Sequence, residues 1–310
     1  MAGIFMGSSF EEEVFEKINS IYIEVSSQCN LACNHCFRTH HEYASKNKNM
    51  SFEVFKTIVD QLPVTKTYML CPQGVGESIL NKDFLKMLTY ARDSRKFHKI
   101  EIHSNLLAVE VEKYNQMFEC GLTHLYLSVD SLEHRTLNET RNGTHLEKLK
   151  DNVEAIVRQF GNCIELRVTL STLNLNEISN LCQWYASIGG SVMQIAPLLS
   201  FGDDDSVQLS PELFLHISNS FKFSGIKLCF INPWETNNTR KCSVFEETMS
   251  FDALGRMTPC CVVVDSHTSH FGDIMKNTFT NLLKERNRFH ERLYQERPVV
   301  CQRCYFYPTA

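Results

Sequence analysis

The sequence has no long apolar run and no excess of positive charge. No stretch approaches the roughly 18 apolar residues that a membrane-spanning helix requires, and 31 Lys and Arg residues are outnumbered by 36 Asp and Glu residues, which gives a net charge of −5. The amino-terminal residues include Glu11, Glu12 and Glu13, which are not typical of a secretory signal peptide. We therefore expect a cytoplasmic protein with no membrane segment and no nucleic-acid partner.

Internal repeats and low-complexity segments are also missing, which argues against a solenoid or a disordered chain. With 310 residues, the chain can bury a substantial core without a disulfide scaffold. It nevertheless contains 13 cysteines. Because disulfides persist in oxidising compartments and no secretory signal is present, so many cysteines indicate metal or redox chemistry.

Short β-branched apolar segments alternate with helix-period segments through the first 200 residues. The predicted strands are residues 21–25, 67–71, 99–103, 125–129, 165–170 and 192–197. The predicted helices are residues 51–61, 82–95, 109–119, 146–159 and 176–186. Ser51 and Asn174 are the expected capping residues of the first and last of these helices. The alternation predicts an α/β fold with a parallel sheet. Six strands are too few for a closed barrel, so we expect a partial (β/α)6 TIM-like barrel.

The pattern changes after about residue 200. Residues 202–205 form a turn-rich acidic segment that is more typical of a solvated loop than of a metal site, and a helix at 211–221 and a strand at 227–231 follow. From Cys242 onward the short, cysteine-rich segments predict a metal-stapled subdomain, because so few residues cannot build an independent core. The predicted organisation is an extension at 1–20, a barrel at 21–200, a connecting segment at 201–241 and the cysteine-rich subdomain at 242–310.

Cys29, Cys33 and Cys36 lie in the loop that follows the first predicted strand. Three thiolates can bind three corners of a [4Fe–4S] cubane and leave the fourth iron open to a substrate or cofactor. The position also fits, because active sites of barrel enzymes lie at the carboxyl ends of the strands. The alternative is a zinc site in which His35 or His40 supplies the fourth ligand.

The Cys29-x3-Cys33-x2-Cys36 spacing resembles the signature of the radical S-adenosylmethionine (SAM) superfamily, and the resemblance covers most of the chain. It implies that the open iron binds SAM. The SAM-binding positions that the resemblance implies are His35, Gly74, Gly76, Glu77, Ser104, Asn105, Ser128 and Asp130. In the Gly74-x-Gly76-Glu77 motif, glycine permits close backbone approach and glutamate supplies an acceptor for the SAM ammonium group.

Three further residues are candidate catalytic groups. Arg141 lies in an R-x-G stretch that resembles one common in a subgroup of this superfamily, and it is expected to structure a loop near the substrate. The alternative is that Arg141 is only solvated. Arg167 is an isolated charge on the fifth predicted strand, so it needs a SAM carboxylate, a substrate group or a structural ion pair as its partner. Cys71 ends the second strand, where its thiol could donate a hydrogen atom to a substrate radical. The other unassigned cysteines are expected to be inert.

The second cysteine group consists of Cys242, Cys260, Cys301 and Cys304. Four thiolates can hold a [4Fe–4S] cluster or a zinc ion, and the spacing alone does not choose between them. The arrangement, with a predicted hairpin at 251–257, resembles the carboxyl-terminal extension of SPASM/Twitch radical SAM enzymes. Because the longer SPASM cysteine run does not follow Cys304, the resemblance implies the Twitch form with one auxiliary [4Fe–4S] cluster. Cys261 could replace Cys260 as a ligand.

The resemblance implies reductive cleavage of SAM to a 5′-deoxyadenosyl radical that abstracts hydrogen from the substrate. An electron donor such as a flavodoxin or ferredoxin would be required. The first hypothesis is oxidation of a small hydroxylated substrate, such as a sugar or aminocyclitol, in which the auxiliary cluster accepts an electron. This hypothesis is favoured by the expectation that no peptide-recognition domain precedes residue 21. The second hypothesis is a maturase that cross-links or epimerises a ribosomally made peptide. A third, of a different class, is a non-catalytic zinc or iron–sulfur protein that does not bind SAM.

Overall fold

The computed structural model describes residues 10–199, 206–234, 242–261 and 270–296. The six predicted barrel strands are confirmed as β1 (Ser20–Ile23), β2 (Tyr68–Cys71), β3 (Phe97–Ser104), β4 (His124–Ser128), β5 (Ile164–Leu170) and β6 (Val192–Pro197). The barrel region also contains α1 (Phe10–Lys17), α2 (Phe37–His40), α3 (Phe52–Gln61), α4 (Phe84–Ser94), α5 (Val111–Glu119), α6 (His134–Thr140), α7 (Leu146–Phe160) and α8 (Ile178–Ser187). The five predicted barrel helices correspond to α3, α4, α5, α7 and α8, whereas α1, α2 and α6 were not predicted. The acidic segment at 202–205 lies outside the described residues.

One sheet runs through the molecule, in the order β7-β6-β5-β4-β3-β2-β1-β8-β9. The strands added to the six-stranded core are β7 (Lys227–Phe230), β8 (Thr248–Phe251) and β9 (Met257–Thr258). Strands β1 to β8 pair in parallel, whereas β9 is antiparallel to β8. Because β7 and β9 are the two edges of the described sheet, the barrel is open. The predicted partial barrel is therefore confirmed, and it is wider than six strands.

The two predicted helix caps have different outcomes. Ser51 caps α3, because its hydroxyl accepts a hydrogen bond from the Val54 amide at 3.3 Å. The prediction for Asn174 is wrong, because its side chain makes no cap bond to α8. Its amide instead donates to the carbonyl oxygens of Asp130 (2.9 Å) and Thr169 (3.0 Å). Asn174 thus ties the carboxyl ends of β4 and β5 together.

Each barrel strand has an apolar face and a more polar face. On β5, the buried Leu166 and Val168 alternate with the half-buried Glu165 and Arg167. The apolar side chains join the helices in one hydrophobic core, which stabilises the fold by burial of apolar surface. The apolar face packs against the helices, so the polar face is the inner, concave side of the open barrel. Ligand sites of barrel enzymes lie on this side, at the carboxyl ends of the strands.

The carboxyl-terminal region joins the same sheet. It contains α9 (Pro211–Ser220), α10 (Ser243–Glu247) and α11 (Phe279–Glu296), and the predicted hairpin is confirmed as β8 and β9. Strand β8 pairs along the whole length of β1, with Ile23 opposite Phe251. The domain boundaries stay a prediction. Within the described residues, no helix combines the length and apolar character that crossing a bilayer requires.

Candidate functional site

The loop after β1 contains the three predicted cluster ligands, Cys29, Cys33 and Cys36. All three are half-buried. The loop is held against the end of α6, because the Ala32 amide donates to the Asn142 carbonyl oxygen (3.1 Å) and the Asn34 amide donates to the Thr140 carbonyl oxygen (3.0 Å). The three thiols are thus presented at the carboxyl edge of the sheet by a fixed backbone.

The three thiols can serve as ligands of an iron–sulfur cluster. Burial is the main cause that raises the pKa of Cys29 and of Cys33, the latter to about 11, and the charge of Cys36 adds to both shifts. Thiolates at this depth need a bound cation. No three His, Cys, Asp or Glu side chains in the described ranges converge as ligands of one metal ion do. In a cubane each thiolate binds a different iron, so its ligands need not converge on one point.

Of the two candidate fourth ligands of the predicted zinc alternative, His40 is engaged elsewhere and His35 stays a candidate. The His40 Nε2 atom is 2.5 Å from the Asn34 carbonyl oxygen, so that nitrogen is already engaged. His35 is half-buried, and burial lowers the pKa of its imidazole, while the charge of Asp130 partly opposes the shift. A neutral His35 ring beside the cysteines is compatible with its predicted place near SAM, and that role stays a prediction.

The Gly74–Glu77 turn packs against the backbone that leads into the cysteine loop. A Cβ atom at Gly76 would lie 2.5 Å from the carbonyl oxygens of Ser26 and Gln28, and neither backbone oxygen can retreat as a flexible side chain would. The Glu77 amide donates to the Gln28 carbonyl oxygen at 2.7 Å. Glycine at 76 is therefore required for the two predicted SAM-binding segments to touch.

Glu77 has a buried carboxylate oxygen that no described residue satisfies. The residue is 3% exposed. Its Oε2 accepts a hydrogen bond from the Asn105 amide at 3.0 Å, whereas its Oε1 has no partner. Burial raises the pKa of Glu77 to about 7, although the hydrogen bonds from Asn105 and Ser104 oppose the shift. A buried oxygen without a donor is costly, so the site fits a ligand that brings one, as the ammonium group of SAM does.

Asn105 connects Glu77 with the cysteine loop. Its side-chain amide donates to the Asn30 Oδ1 atom at 2.9 Å and lies 3.7 Å from the Cys29 sulfur. Ser104 is more deeply placed, since its hydroxyl pairs with the Tyr114 hydroxyl at 2.8 Å and accepts from a backbone amide. Both predicted positions therefore lie beside Glu77, with Asn105 nearer to the cluster loop.

Asp130 and Arg141 form a buried ion pair at 2.5 Å, with side chains 0% and 12% exposed. The other Asp130 oxygen accepts from the Thr169 amide at 2.7 Å. The alternative of a solvated Arg141 is therefore wrong. Burial raises the pKa of Cys33, and the positive charge of Arg141 opposes that shift, so the guanidinium faces the cysteine loop. The roles predicted for both residues stay predictions, as does that of the half-buried Ser128 on β4.

Cys71 lies on the concave side, opposite Tyr22 in the register of β1 and β2. The thiol is buried, and burial raises its pKa well above the usual value. The sulfur therefore carries its hydrogen at neutral pH, as a hydrogen-atom donor must. The charge of Arg167 also acts on this thiol, so the two predicted catalytic residues face the same space.

Four further side chains on β3 and β4 form what we call the polar layer: Lys99, Glu101, His103 and Tyr126. The Lys99 ammonium is 2.6 Å from a Glu101 oxygen and donates to the Tyr126 hydroxyl at 3.0 Å. The His103 ring stacks on Tyr126 with centroids 4.6 Å apart. Burial, followed by the charges of Arg167, Lys99 and Arg141, lowers the pKa of His103 to about 3. The sequence signal for this layer is the alternation of polar residues at 99, 101 and 103 on one strand face, which was not interpreted as functional.

Of the second cysteine group, Cys242 and Cys260 are in the described part of the chain, and Cys301 and Cys304 lie outside it. The Cys242 sulfur is at the start of α10, where it accepts from a backbone amide at 3.5 Å. Cys260 and Cys261 both line a small cavity of about 20 Å³ between the hairpin and β1. The charge of Cys261 also acts on Cys71 of β2. The choice of Cys260 over Cys261 as the auxiliary ligand stays a prediction.

Glu24, just after β1, is a site residue that the sequence interpretation missed. It is 5% exposed, and its carboxylate accepts from the Val75 amide (3.2 Å), the Ser45 hydroxyl (3.0 Å) and the Ala253 amide (3.2 Å). One buried side chain thus joins the Gly74–Glu77 turn to the auxiliary hairpin. The available signal was a charged residue within an otherwise apolar strand segment.

Comparison with known proteins agrees with this geometry. A family model described as the radical SAM superfamily matches residues 23–185, and one described as an iron–sulfur cluster-binding domain (SPASM) matches residues 242–305. The chain is 25% identical over 261 residues to the tungsten-containing aldehyde ferredoxin oxidoreductase cofactor-modifying protein of Pyrococcus furiosus, covering 77% of this chain and 70% of that protein. It is 22% identical over 187 residues to the GTP 3',8-cyclase of Aeromonas hydrophila, covering 58% of this chain and only 54% of that enzyme.

Solved structures share the fold. The structure of anSMEcpe with bound AdoMet has a TM-score of 0.67 at 14% identity, covering 88% of this chain and 82% of that one. Streptococcus suis SuiB bound to precursor peptide SuiA has a TM-score of 0.67 at 12% identity, covering 94% and 78%. The radical SAM family model spans more than half of the chain. Three features of the structure are consistent with this family: the cysteine loop, the open barrel and the Glu77 Oε1 atom that has no partner among the described residues. The chain is a member of the radical SAM superfamily and carries a SPASM-type iron–sulfur domain.

Proposed function

We propose that this chain is a radical SAM oxidoreductase that abstracts a hydrogen atom from a small hydroxylated substrate, such as a sugar or an aminocyclitol, and oxidises it. The observation that carries the proposal is the polar layer. Barrel interiors are usually filled by bulky branched apolar side chains. Here Lys99, Glu101 and Tyr126 present charged and hydroxyl groups on the concave side instead. A few convergent polar groups select a ligand that hydrogen-bonds to them.

The chain's own residues bind and orient the cofactor. Cys29, Cys33 and Cys36 hold the [4Fe–4S] cluster, which together with SAM supplies the 5′-deoxyadenosyl radical. The Glu77 Oε1 atom, unpaired among the described residues, accepts from the SAM ammonium group. Asn105 holds the Glu77 carboxylate in place through its amide. The predicted SAM contacts of His35, Ser104, Ser128 and Asp130 complete the proposed site.

Oxidation requires a second electron acceptor. When bound, the cluster and SAM would supply the radical that takes a hydrogen atom from the substrate carbon. Loss of one further electron and of the hydroxyl proton would then leave a carbonyl. We propose that the acceptor is one auxiliary [4Fe–4S] cluster bound by Cys242, Cys260, Cys301 and Cys304, as in the Twitch form. The SPASM match and the pairing of β8 with β1 support a position beside the barrel interior.

The test uses the anaerobically reconstituted enzyme with dithionite as reductant. Replacing Cys29, Cys33 and Cys36 together by Ala is expected to abolish formation of 5′-deoxyadenosine. Cys301→Ala is expected to retain part of the SAM cleavage and to stop substrate oxidation, measured by mass spectrometry on a panel of sugars and aminocyclitols. Full product formation by Cys301→Ala would rule out the electron-acceptor role, and 5′-deoxyadenosine from the triple variant would rule out the cluster assignment.

A second candidate is maturation of a ribosomally made peptide by cross-linking or epimerisation. The observation that favours it is the similarity of the fold to SuiB, whose solved complex contains the precursor peptide SuiA. The neighbouring genes separate the two candidates. A short precursor-peptide gene supports maturation, whereas sugar or cyclitol biosynthesis genes support oxidation of a small substrate.

The partner and the compartment are also proposals. A flavodoxin or ferredoxin is the proposed electron donor, because the reductive step requires a one-electron source of low potential. A cytoplasmic location is proposed because reduced thiols are maintained there. Co-purification of the chain with a cytoplasmic flavodoxin, and formation of 5′-deoxyadenosine when that flavodoxin, a flavodoxin reductase and NADPH replace dithionite, would support both.

A further inference from the structure

Arg167 is placed where it can reach a ligand on the concave side of the barrel. It lies in the middle of β5, opposite Ser128 of β4 and Gln194 of β6 in the strand register. It is half-buried, whereas its neighbours Leu166 and Val168 are buried on the helix side. Because β5 is an interior strand, the exposed part of Arg167 faces the open space on the concave side.

Among the described residues, the Arg167 guanidinium has no counter-ion. A guanidinium has five N–H donors, and one of those of Arg167 donates to the Gln194 Oε1 atom at 3.3 Å. The Gln194 amide nitrogen in turn donates to a Glu165 oxygen at 2.7 Å. Gln194 therefore separates Arg167 from the nearest carboxylate of its own sheet. In the described part of the chain, no ion pair includes Arg167, which leaves most of its donors available.

Two carboxylates on the neighbouring strands have other partners. Glu101 is 2.6 Å from the Lys99 ammonium, and Glu165 accepts from the Gln194 amide at 2.7 Å. The positive charge of Arg167 acts on Tyr22, Cys71 and His103, none of which is a carboxylate. A half-buried guanidinium with no ion-pair partner among the described residues can bind an anion that arrives with the ligand.

Arg141 is the arginine beside the cysteine loop. Its charge acts on Cys33 and Glu77, and its guanidinium is paired with the Asp130 carboxylate. The charge of Arg167 acts on Cys71, and on His103 together with the charges of Lys99 and Arg141. Because Arg141 already has a carboxylate partner, Arg167 is the better candidate for an anion that arrives with the substrate.

We propose that Arg167 binds an anionic group of the substrate, a carboxylate or a phosphate, and that Gln194 holds the guanidinium in position for it. This rests on the proposed function, since it specifies the substrate as an anion that also carries hydroxyl groups for the polar layer. The planar fork of arginine suits bidentate contact with either anion. No covalent step is involved in this recognition.

The test measures binding to the reconstituted, SAM-loaded holoenzyme by calorimetry, with D-glucuronate, D-glucose 6-phosphate and D-glucose as probes. At least one anionic probe is expected to bind wild type about tenfold to a hundredfold more tightly than D-glucose, as hydrogen bonds to a charged group provide. Arg167→Gln is expected to remove that preference, and Arg167→Lys to retain part of it. Comparison of the two anionic probes distinguishes a carboxylate ligand from a phosphate ligand.

The control variant is Arg135→Gln, which removes the same charge from an exposed helix position and should keep the preference. The proposal is overturned if the anionic probes bind no better than D-glucose, or if Arg167→Gln keeps the preference. It is also overturned if Arg167→Gln loses the SAM-induced change in the EPR spectrum, because Arg167 would then hold SAM. An anion preference in an enzyme that oxidises no substrate would refute the proposed oxidation and leave this subsite standing.

Discussion

Breaking the buried pair of Asp130 and Arg141 is expected to destabilise the barrel strongly. The side chains are 2.5 Å apart and 0% and 12% exposed, so water cannot replace the lost partner. Asp130→Asn keeps the shape of the side chain and the oxygen that accepts from the Thr169 amide, but it leaves the Arg141 charge uncompensated. Removal of one partner of a buried pair costs about 3–5 kcal/mol.

Anaerobic urea unfolding of the reconstituted enzyme, followed by circular dichroism, measures this effect. With a slope of about 3 kcal/mol per molar urea, the loss corresponds to a midpoint lowered by about 1 to 1.7 M. Glu139→Gln is the matched control, because it makes the same change in a pair with Arg135 whose side chains are 44% and 89% exposed. Exposed pairs contribute little, so that midpoint should match wild type. Equal midpoints for the two variants would refute the reasoning.

Three further predictions concern the cofactor site. Burial raises the pKa of Glu77 to about 7, so the carboxylate that binds SAM forms as the pH rises through that value. The affinity for SAM, measured by EPR titration, should therefore increase between pH 6 and 8. Glu77→Gln should make the affinity independent of pH in this range. Gly76→Ala places a Cβ atom 2.5 Å from two backbone oxygens. Iron content after reconstitution should therefore fall well below that of the control Gly161→Ala, whose added Cβ meets no atom within 4 Å. In the Cys301→Ala variant the substrate radical cannot pass on its electron, so the Cys71 thiol is expected to return a hydrogen atom to it, with dithionite reducing the sulfur radical that remains. Substrate recovered in D2O should then contain deuterium, and the additional Cys71→Ser change should abolish this.

The Glu77 prediction also has a consequence for stability. A folded-state pKa above the ordinary value of 4.5 means that the folded chain retains a proton that the unfolded chain has released. Stability without SAM should therefore decline as pH rises from about 4.5 to about 7, and Glu77→Gln should remove that decline. A SAM affinity that is independent of pH in wild type would contradict the role given to Glu77.

Local sequence signals predicted the barrel strands and failed for contacts between distant segments. Strands β1 to β6 were predictable because parallel strands are buried and appear as short apolar runs. The position of β8 beside β1 was not, since it depends on which edge of the sheet remains open. The contact between Glu24 and Ala253, 229 residues apart in the sequence, illustrates the distance involved.

The candidate site was predictable where the chemistry resides in one segment. The spacing of Cys29, Cys33 and Cys36 is such a signal, and the structure places Glu77 and Asn105 beside them as the motif implied. The pairing of Arg141 with Asp130 was not predicted, because a sequence does not show which of several acids an arginine meets. Asn174 was assigned to the wrong partner for the same reason, since its amide bonds strand ends instead of a helix end.

The most direct test of the central claim is the iron and sulfide content per chain after anaerobic reconstitution. The measurement compares wild type with the variant in which Cys29, Cys33 and Cys36 are replaced by Ala. Two clusters of four irons predict about eight irons in wild type and about four in the variant. About four irons falling to none, with zinc present, would contradict an electron-accepting auxiliary cluster and make the second cysteine group a structural metal site.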